Sequence, residues 1–285
     1  EHDEIIACAL EAKSFGYGTV VLQSGEDPGI TLEWMEKLIL RLRAEVGLAI
    51  TLSLGERTGE ELAAWRKAGA DRYLLRFETS NQALFEHIHP PLPSTAKTGR
   101  DRFAVLRDLR KLGYEVGSGV MVGIPGESYG DLARDIELFR ELDLDMIGIG
   151  PYIPHPQTPL AAEVSAPPAD GQSPDRAQAP ASEELIYKAV ALARLVCPQA
   201  NIPATTALAT LNKAEGRELG LSRGANILMP NCTPLKYRKL YEIYPAKVCI
   251  DETAVACQGC MKRRIESIGR RVGIGPGSSR NMMRR

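Results

Sequence analysis

Short apolar runs recur along the chain at nearly even spacing. Residues 19–23, 49–54, 72–76, 116–124, 146–153, 201–207 and 225–229 are rich in Val, Ile and Leu, and each ends in a cluster of Gly, Pro or polar residues. Between them, at 32–43, 59–68, 100–112 and 129–142, apolar positions follow helical spacing. Strands that are continuously apolar are covered on both faces, and strands that alternate with helices pair in parallel. The pattern predicts an α/β fold of about seven βα units. These fit a (β/α)8 barrel of the TIM type that lacks its first strand better than they fit an open sheet. A helix predicted from about His2 would follow the missing strand.

Two stretches interrupt this pattern. Residues 90–98 (PPLPSTAKT) lengthen one loop, and residues 161–182, rich in Ala, Pro, Asp and Gln, read as a mobile surface insertion. Because βα units continue on both sides, neither is a domain boundary. The expected organisation is a barrel core over residues 1–245 and a C-terminal segment over 246–285. That segment carries three clustered cysteines and a basic tail, expected to be solvated and partly disordered.

Composition narrows the picture without changing it. A chain of 285 residues with 44% hydrophobic and 25% charged residues is an ordinary globular composition. A net charge of −1 gives no electrostatic reason to expect nucleic acid or an anionic membrane as partner. No apolar stretch approaches the ~18 residues of a membrane span, and the acidic start, Glu1 to Glu4, is unlike a signal peptide. The chain does not begin with Met. Six cysteines (Cys8, Cys197, Cys232, Cys249, Cys257 and Cys260) are too few and too unevenly placed for a disulfide framework. Reduced thiols in a cytoplasm, with a metal site near the C-terminus, are the expectation.

Barrel enzymes work at the C-terminal ends of their strands, and polar residues gather there. They are Gln23 to Asp27, Thr51 with Ser53, Arg76 to Thr79, Ser118 with Met121, Pro151 to Pro156, Thr205 with Thr206, and Met229 to Asn231. Loop caps explain any one of these; together they favour a polar ligand in the mouth. In YLLRFET, Arg76 and Glu78 lie two apart on a strand and face one side. Such a pair suits a zwitterion or a ribose diol, or else satisfies itself. In the C-terminal segment, Cys249-x7-Cys257-x2-Cys260 supplies three thiolates for an iron–sulfur cluster or for zinc.

The segments LQSGEDP, TLSLGE, RYLLRFET, LGYEVGSGVMVGIPGE, MIGIGPYIPHPQTPLA, NIPATTAL, GANILMPN and YRKLYEIYP follow one another in an order that resembles the HydE family of radical S-adenosylmethionine maturases of [FeFe]-hydrogenase. The resemblance implies a radical-type barrel and two cofactors, S-adenosylmethionine and a [4Fe–4S] cluster. A 5′-deoxyadenosyl radical would attack sulfur in a small, cysteine-derived, iron-bound precursor. It further implies that Glu78 binds the ribose, that Arg102 pairs with the methionine carboxylate, and that Gln23, Thr51, Arg76 and Met146 line the chamber. Thr205 and Thr206 would bind anions, Tyr241 and Tyr244 would sit near substrate, and Cys249, Cys257 and Cys260 would hold an accessory [2Fe–2S] or [4Fe–4S] cluster. Other hydrogenase maturases are the implied partners, and a monomer is expected.

One departure stands out. The CxxxCxxC motif of radical enzymes of this kind is missing from the chain, so the ligands of the catalytic cluster are expected upstream of Glu1 and the chain as written is expected to be inactive. Cys8, alone in IIACALEA, reads as a small core residue. The competing readings are a sister enzyme of the biotin synthase or methylornithine synthase type, and a non-catalytic barrel that binds a small anion or a partner. The sister biotin synthases carry a YNHN segment near the position of RFET, which is absent here.

Overall fold

The computed structural model describes residues 1–89, 101–165 and 177–284. The loop at 90–98 lies outside these residues, as do positions 166–176 of the insertion. Five strands, β1 (Thr19–Gln23), β2 (Ala49–Ser53), β3 (Arg72–Leu74), β4 (Glu115–Val122) and β5 (Met146–Pro151), form one parallel sheet in chain order. Two extended segments continue that order, because Met146 bridges Asn201 and Pro203 bridges Ile227, both in parallel. Ile147 N donates to Asn201 O, and Asn226 N donates to Ile202 O. The seven apolar runs of the sequence therefore lie side by side, five as strands and two as bridged segments.

Helices α1 (His2–Ser14), α2 (Leu32–Arg41), α3 (Gly59–Ala68), α4 (Gln82–Ile88), α5 (Arg102–Lys111), α6 (Tyr129–Glu141) and α7 (Glu183–Val196) alternate with the strands. The shorter α8 (Thr206–Leu211), α9 (Gly216–Ser222) and α10 (Leu235–Arg238) follow, and then α11 (Ala254–Ser267). Several begin where a side chain takes over an unpaired backbone donor. Thr58 with Glu61, and Ser128 with Asp131, form reciprocal capping boxes. The core lies between sheet and helices, where Ile50, Leu52, Tyr73, Phe77, Val120 and Ile149 meet Leu38, Trp65, Leu109 and Phe139.

Strand alternation separates this outer face from an inner one. Phe77 packs on Phe103 and Phe139 at 5.1 and 5.9 Å, which marks the outer face just past β3. Registered partners share a face, which aligns Val21 with Thr51, Thr51 with Arg72, Arg72 with Glu115, and Gly117 with Met146. A Cβ at Gly117 would meet Met146 Cε at 2.7 Å and Leu74 Cβ at 3.1 Å, so these side chains fill the interior at that level. Higher up, a Cβ at Gly148 would have its nearest neighbour at 3.8 Å, and one at Gly150 would have its nearest at 3.5 Å. The interior is thus less crowded at these two glycines than at the filled floor below them.

The C-terminal residues are mostly exposed, as expected of a solvated tail, but residues 276–279 are tied to the base of the barrel. Below the floor, Arg72 Nε donates to Glu115 Oε2 (3.0 Å), and its Nη2 donates to Pro276 O and Ser278 Oγ (3.0 Å each). Ser279 N donates to the same Glu115 oxygen at 3.0 Å, and Asn201 Nδ2 donates to Gly277 O at 2.8 Å. The approach is close enough that a Cβ on Gly18 would lie 1.8 Å from Gly275 O. A buried ion pair leaves lone pairs and protons that need partners, and residues 276–279 supply them.

The described end of the insertion is also anchored. Gln178 Nε2 donates to Ile124 O (3.0 Å), Gly126 N donates to Gln178 Oε1 (2.7 Å), and Ala179 N donates to Glu127 O (2.8 Å). The reading of 161–182 as one mobile stretch therefore fails at 177–182. Its polar composition hid backbone pairing to the turn after β4.

Candidate active site at the mouth of the barrel

The inner-face residues at the mouth are positioned by an irregularity just past β3. Leu75 N donates to Gly117 O, and the next ladder bond runs from Glu78 N to Gly119 O. A regular parallel ladder advances two residues on each strand; here one strand advances three. This is a bulge of one residue, and Glu78 closes it in the left-handed region at φ 64°. The bulge strands two backbone groups. Ser118, fully buried, satisfies both: its Oγ donates to Leu75 O (2.8 Å) and accepts from Phe77 N (3.2 Å). A lone serine in an otherwise apolar strand was the only sign of this in the sequence.

Arg76 and Glu78 do meet, with Nη2 3.1 Å from Oε2. The contact is not a complete hydrogen bond. Glu78 Oε2 and Arg76 Nε are both buried without a hydrogen-bond partner among the described residues, while Arg76 Nη2 donates to Val120 O (2.5 Å). A buried carboxylate oxygen and a guanidinium N–H left without partners are what a polar ligand would complete.

Arg102, which the family resemblance would pair with a methionine carboxylate, has protein partners on every side of its guanidinium. It is buried on the first turn of α5. Nε donates to Glu56 Oε1 (2.8 Å) and Nη1 to Arg76 O (2.5 Å), while Nη2 contacts Glu26 Oε1 (3.3 Å) and His89 Nε2 (2.8 Å). Burial pushes the Glu26 carboxyl up and the His89 imidazole down to about 4, so His89 is neutral beside the guanidinium. Two carboxylates thus neutralise Arg102, and its contact with Arg76 O ties the rim to the strand end. Glu26 and Glu56 carry this network; the sequence offered only their place in LQSGEDP and TLSLGE.

Thr51 is buried on the inner face of β2, and Met146 on β5 helps form the filled floor. Gln23, at the end of β1, is exposed. Thr205 caps α8 by accepting from Leu208 N (3.3 Å), with its Oγ1 3.5 Å from where a Gly150 Cβ would stand; Thr206 opens the helix. Lys247 Nζ lies 4.7 Å from the ring centroid of Tyr241 and 5.8 Å from that of Tyr244. Burial pushes the Tyr244 phenol up to about 12, against the lowering influence of Arg217 and Arg76.

A second constellation lies between α10 and α11. The ligand atoms of Cys249, Glu252 and Cys257 lie within 4.8 Å of one another. Arg217 Nη2 donates to Cys249 Sγ (3.4 Å), and Arg238 Nη1 donates to Cys249 O (3.1 Å). The Cys249 hydrogen bond favours the Cys257 thiolate. Cys260, one turn along α11 from Cys257, is not in this group; it bears on Arg264, whose charged form it favours. The group differs from the expected three-cysteine set because Glu252 stands where the third thiol was placed.

Residues 1–151 match the sequence profile of the radical SAM superfamily. The chain is 43% identical over 271 residues to the [FeFe] hydrogenase maturase subunit HydE of Thermotoga maritima, covering 95% of this chain and 72% of that protein. It is 31% identical over 150 residues to a biotin synthase of Pelobacter propionicus, over 52% of this chain and 44% of that protein. In three dimensions it is similar to the crystal structure of methylornithine synthase, with a TM-score of 0.71 at 23% identity over 95% of this chain and 73% of the other. That likeness establishes the barrel fold.

Proposed function

The chain belongs to the radical SAM superfamily and, within it, to the HydE family of maturases; from that premise we propose that the chamber above Met146 holds S-adenosylmethionine and serves assembly of the [FeFe]-hydrogenase active site. The observation that carries this reading is the open pair Arg76–Glu78 past the end of β3, where each side chain keeps a buried polar atom without a hydrogen-bond partner among the described residues. Glu78 Oε2 is the acceptor for the ribose hydroxyls, and the Arg76 guanidinium faces the substrate side. The filled layer of Leu74 and Met146 excludes water from below. Thr51, Thr205 and Thr206 offer hydroxyls, and Tyr241 and Tyr244 border the substrate. Arg102, neutralised by Glu26 and Glu56, acts in this reading as an anchor for the Arg76 backbone more than as a cation for the methionine carboxylate.

In this superfamily a [4Fe–4S] cluster and S-adenosylmethionine supply a 5′-deoxyadenosyl radical. No CxxxCxxC occurs among these residues, so the chain's own part is binding, orientation and exclusion of water. The substrate we propose is a small cysteine-derived, iron-bound precursor attacked at sulfur. Cys249 and Cys257 would hold an accessory metal centre with Glu252 or Cys260 as third ligand, a reading supported by the ligand atoms of Cys249, Glu252 and Cys257 lying within 4.8 Å of one another. The test is complementation: the chain, fused behind a CxxxCxxC-bearing radical SAM segment, is expected to restore hydrogenase activity in a host lacking its own maturase. No restoration, together with turnover of dethiobiotin, would move the protein to a sister function.

A further inference from the structure

Two carboxyl groups lie entirely inside the protein beside the mouth and are not used by the chemistry above. Asp135, on α6, is 0% exposed; its Oδ1 accepts from Ser80 N at 2.6 Å, two residues past Glu78. Glu127, in the turn after β4, is also 0% exposed; its Oε2 accepts from Gly123 N at 2.5 Å, two residues past Met121. Met121 N in turn donates to Glu78 O. The two carboxyls thus grip the strand ends on either side of the Glu78 bulge, one from each side.

Each keeps one oxygen, Asp135 Oδ2 and Glu127 Oε1, buried with no hydrogen-bond partner among the described residues. The charges that weigh most on them from the packed elements are acidic: Asp131 on both, Asp135 on Glu127, and Glu78 on Asp135. A buried carboxylate with no cation and an unsatisfied oxygen is costly, and the acid form relieves that cost. Burial pushes Glu127 up to about 8 and Asp135 up to about 7.

We infer that Asp135 and Glu127 are positioning residues that work in their neutral form, holding the two strand ends so that Glu78 keeps the geometry an adenosyl ligand requires. The inference rests on the reading of Glu78 as the ribose acceptor. Ionisation would set negative charge directly behind Glu78 and push the bulge out of place, so adenosyl affinity falls as pH rises through the titration of the pair.

The test uses the full chain and S-adenosylhomocysteine as the probe, which needs no cluster, with binding followed by calorimetry from about pH 6 to about pH 9. Affinity of the unaltered chain is expected to fall roughly tenfold over that range, as for binding that takes up one proton. Asp135→Asn with Glu127→Gln, which mimic the neutral acids, should bind as the unaltered chain does at low pH and keep that affinity at high pH. Asp135→Ala, which releases Ser80 N, should bind weakly throughout. Asn and Gln variants that bind as weakly as the Ala variant at low pH would show that charge is needed, and would overturn the proposal. A carbon-13 titration of the two carboxyls without ligand decides independently; midpoints below about pH 5.5 overturn it too. If binding is absent, or Glu78→Ala leaves it unchanged, the reading of the ribose site fails, and the carboxyl titration still judges the neutral pair.

Discussion

Two guanidinium–carboxylate pairs, their arginines only four residues apart along the chain, stand in opposite conditions. At the base, Arg72 and Glu115 are almost fully buried, and Thr19, Pro276, Ser278 and Ser279 complete their hydrogen bonds. At the mouth, Arg76 and Glu78 touch at 3.1 Å, yet each keeps a buried atom without a partner. Identical chemistry therefore serves two ends. A pair whose hydrogen bonds are all made is architecture, whereas one left open is prepared for something to arrive.

The largest expected effect tests the closed pair. Arg72→Met strands the Glu115 carboxylate, and urea unfolding should show a loss of about 3–5 kcal/mol. Arg76→Met should cost less than about 1 kcal/mol by the same measurement. Equal losses would erase the distinction between base and mouth.

Glu78→Ala tests the open pair. Removing a charge-assisted acceptor is worth about 1.5–3 kcal/mol, so calorimetry with S-adenosylhomocysteine should show affinity lowered by roughly 10- to 150-fold. Stability should stay within about 0.5 kcal/mol of the unaltered chain. Unchanged affinity would place the ligand elsewhere.

Ser118→Ala sharpens the contrast by disturbing the bulge without touching either pair. It leaves Leu75 O and Phe77 N unsatisfied in the core, a cost of about 1–3 kcal/mol in chemical denaturation. A neutral result would mean the bulge is held by Glu78 and its neighbours alone. The smallest effect on the mouth should come from Cys249→Ser with Cys257→Ser. Iron or zinc content after anaerobic reconstitution should fall to background, while S-adenosylhomocysteine affinity changes by less than about twofold. Metal retained by that variant would exclude these two thiols as the ligands.

The barrel was legible because its signal is repeated. Seven apolar runs between helical stretches leave little freedom, and each lies where the pattern put it. Arg76 and Glu78, expected to face one side of a regular strand, do meet, but past the end of β3 and across a bulge. What the sequence did not disclose are features made by pairs of distant residues. The bulge depends on Ser118 reaching across to Leu75 and Phe77, and nothing local to RFET announces an extra residue in the ladder. The ion pairs of Arg102 were not legible because Glu26 and Glu56 lie 76 and 46 residues away. The basic residues near the C-terminal end are exposed as composition suggested, but composition does not report the backbone carbonyl and amide at 276 and 279 that Arg72 and Glu115 bind.

That return of the C-terminus also orders events in time. Arg72 waits 204 residues for Pro276 O and 206 for Ser278 Oγ. Translation at about 5–20 residues per second delivers these partners some tens of seconds after β3 has left the ribosome. A chain released before residue 279 therefore lacks the last partners of the Arg72–Glu115 pair, and its barrel base keeps an ion pair with unmade hydrogen bonds.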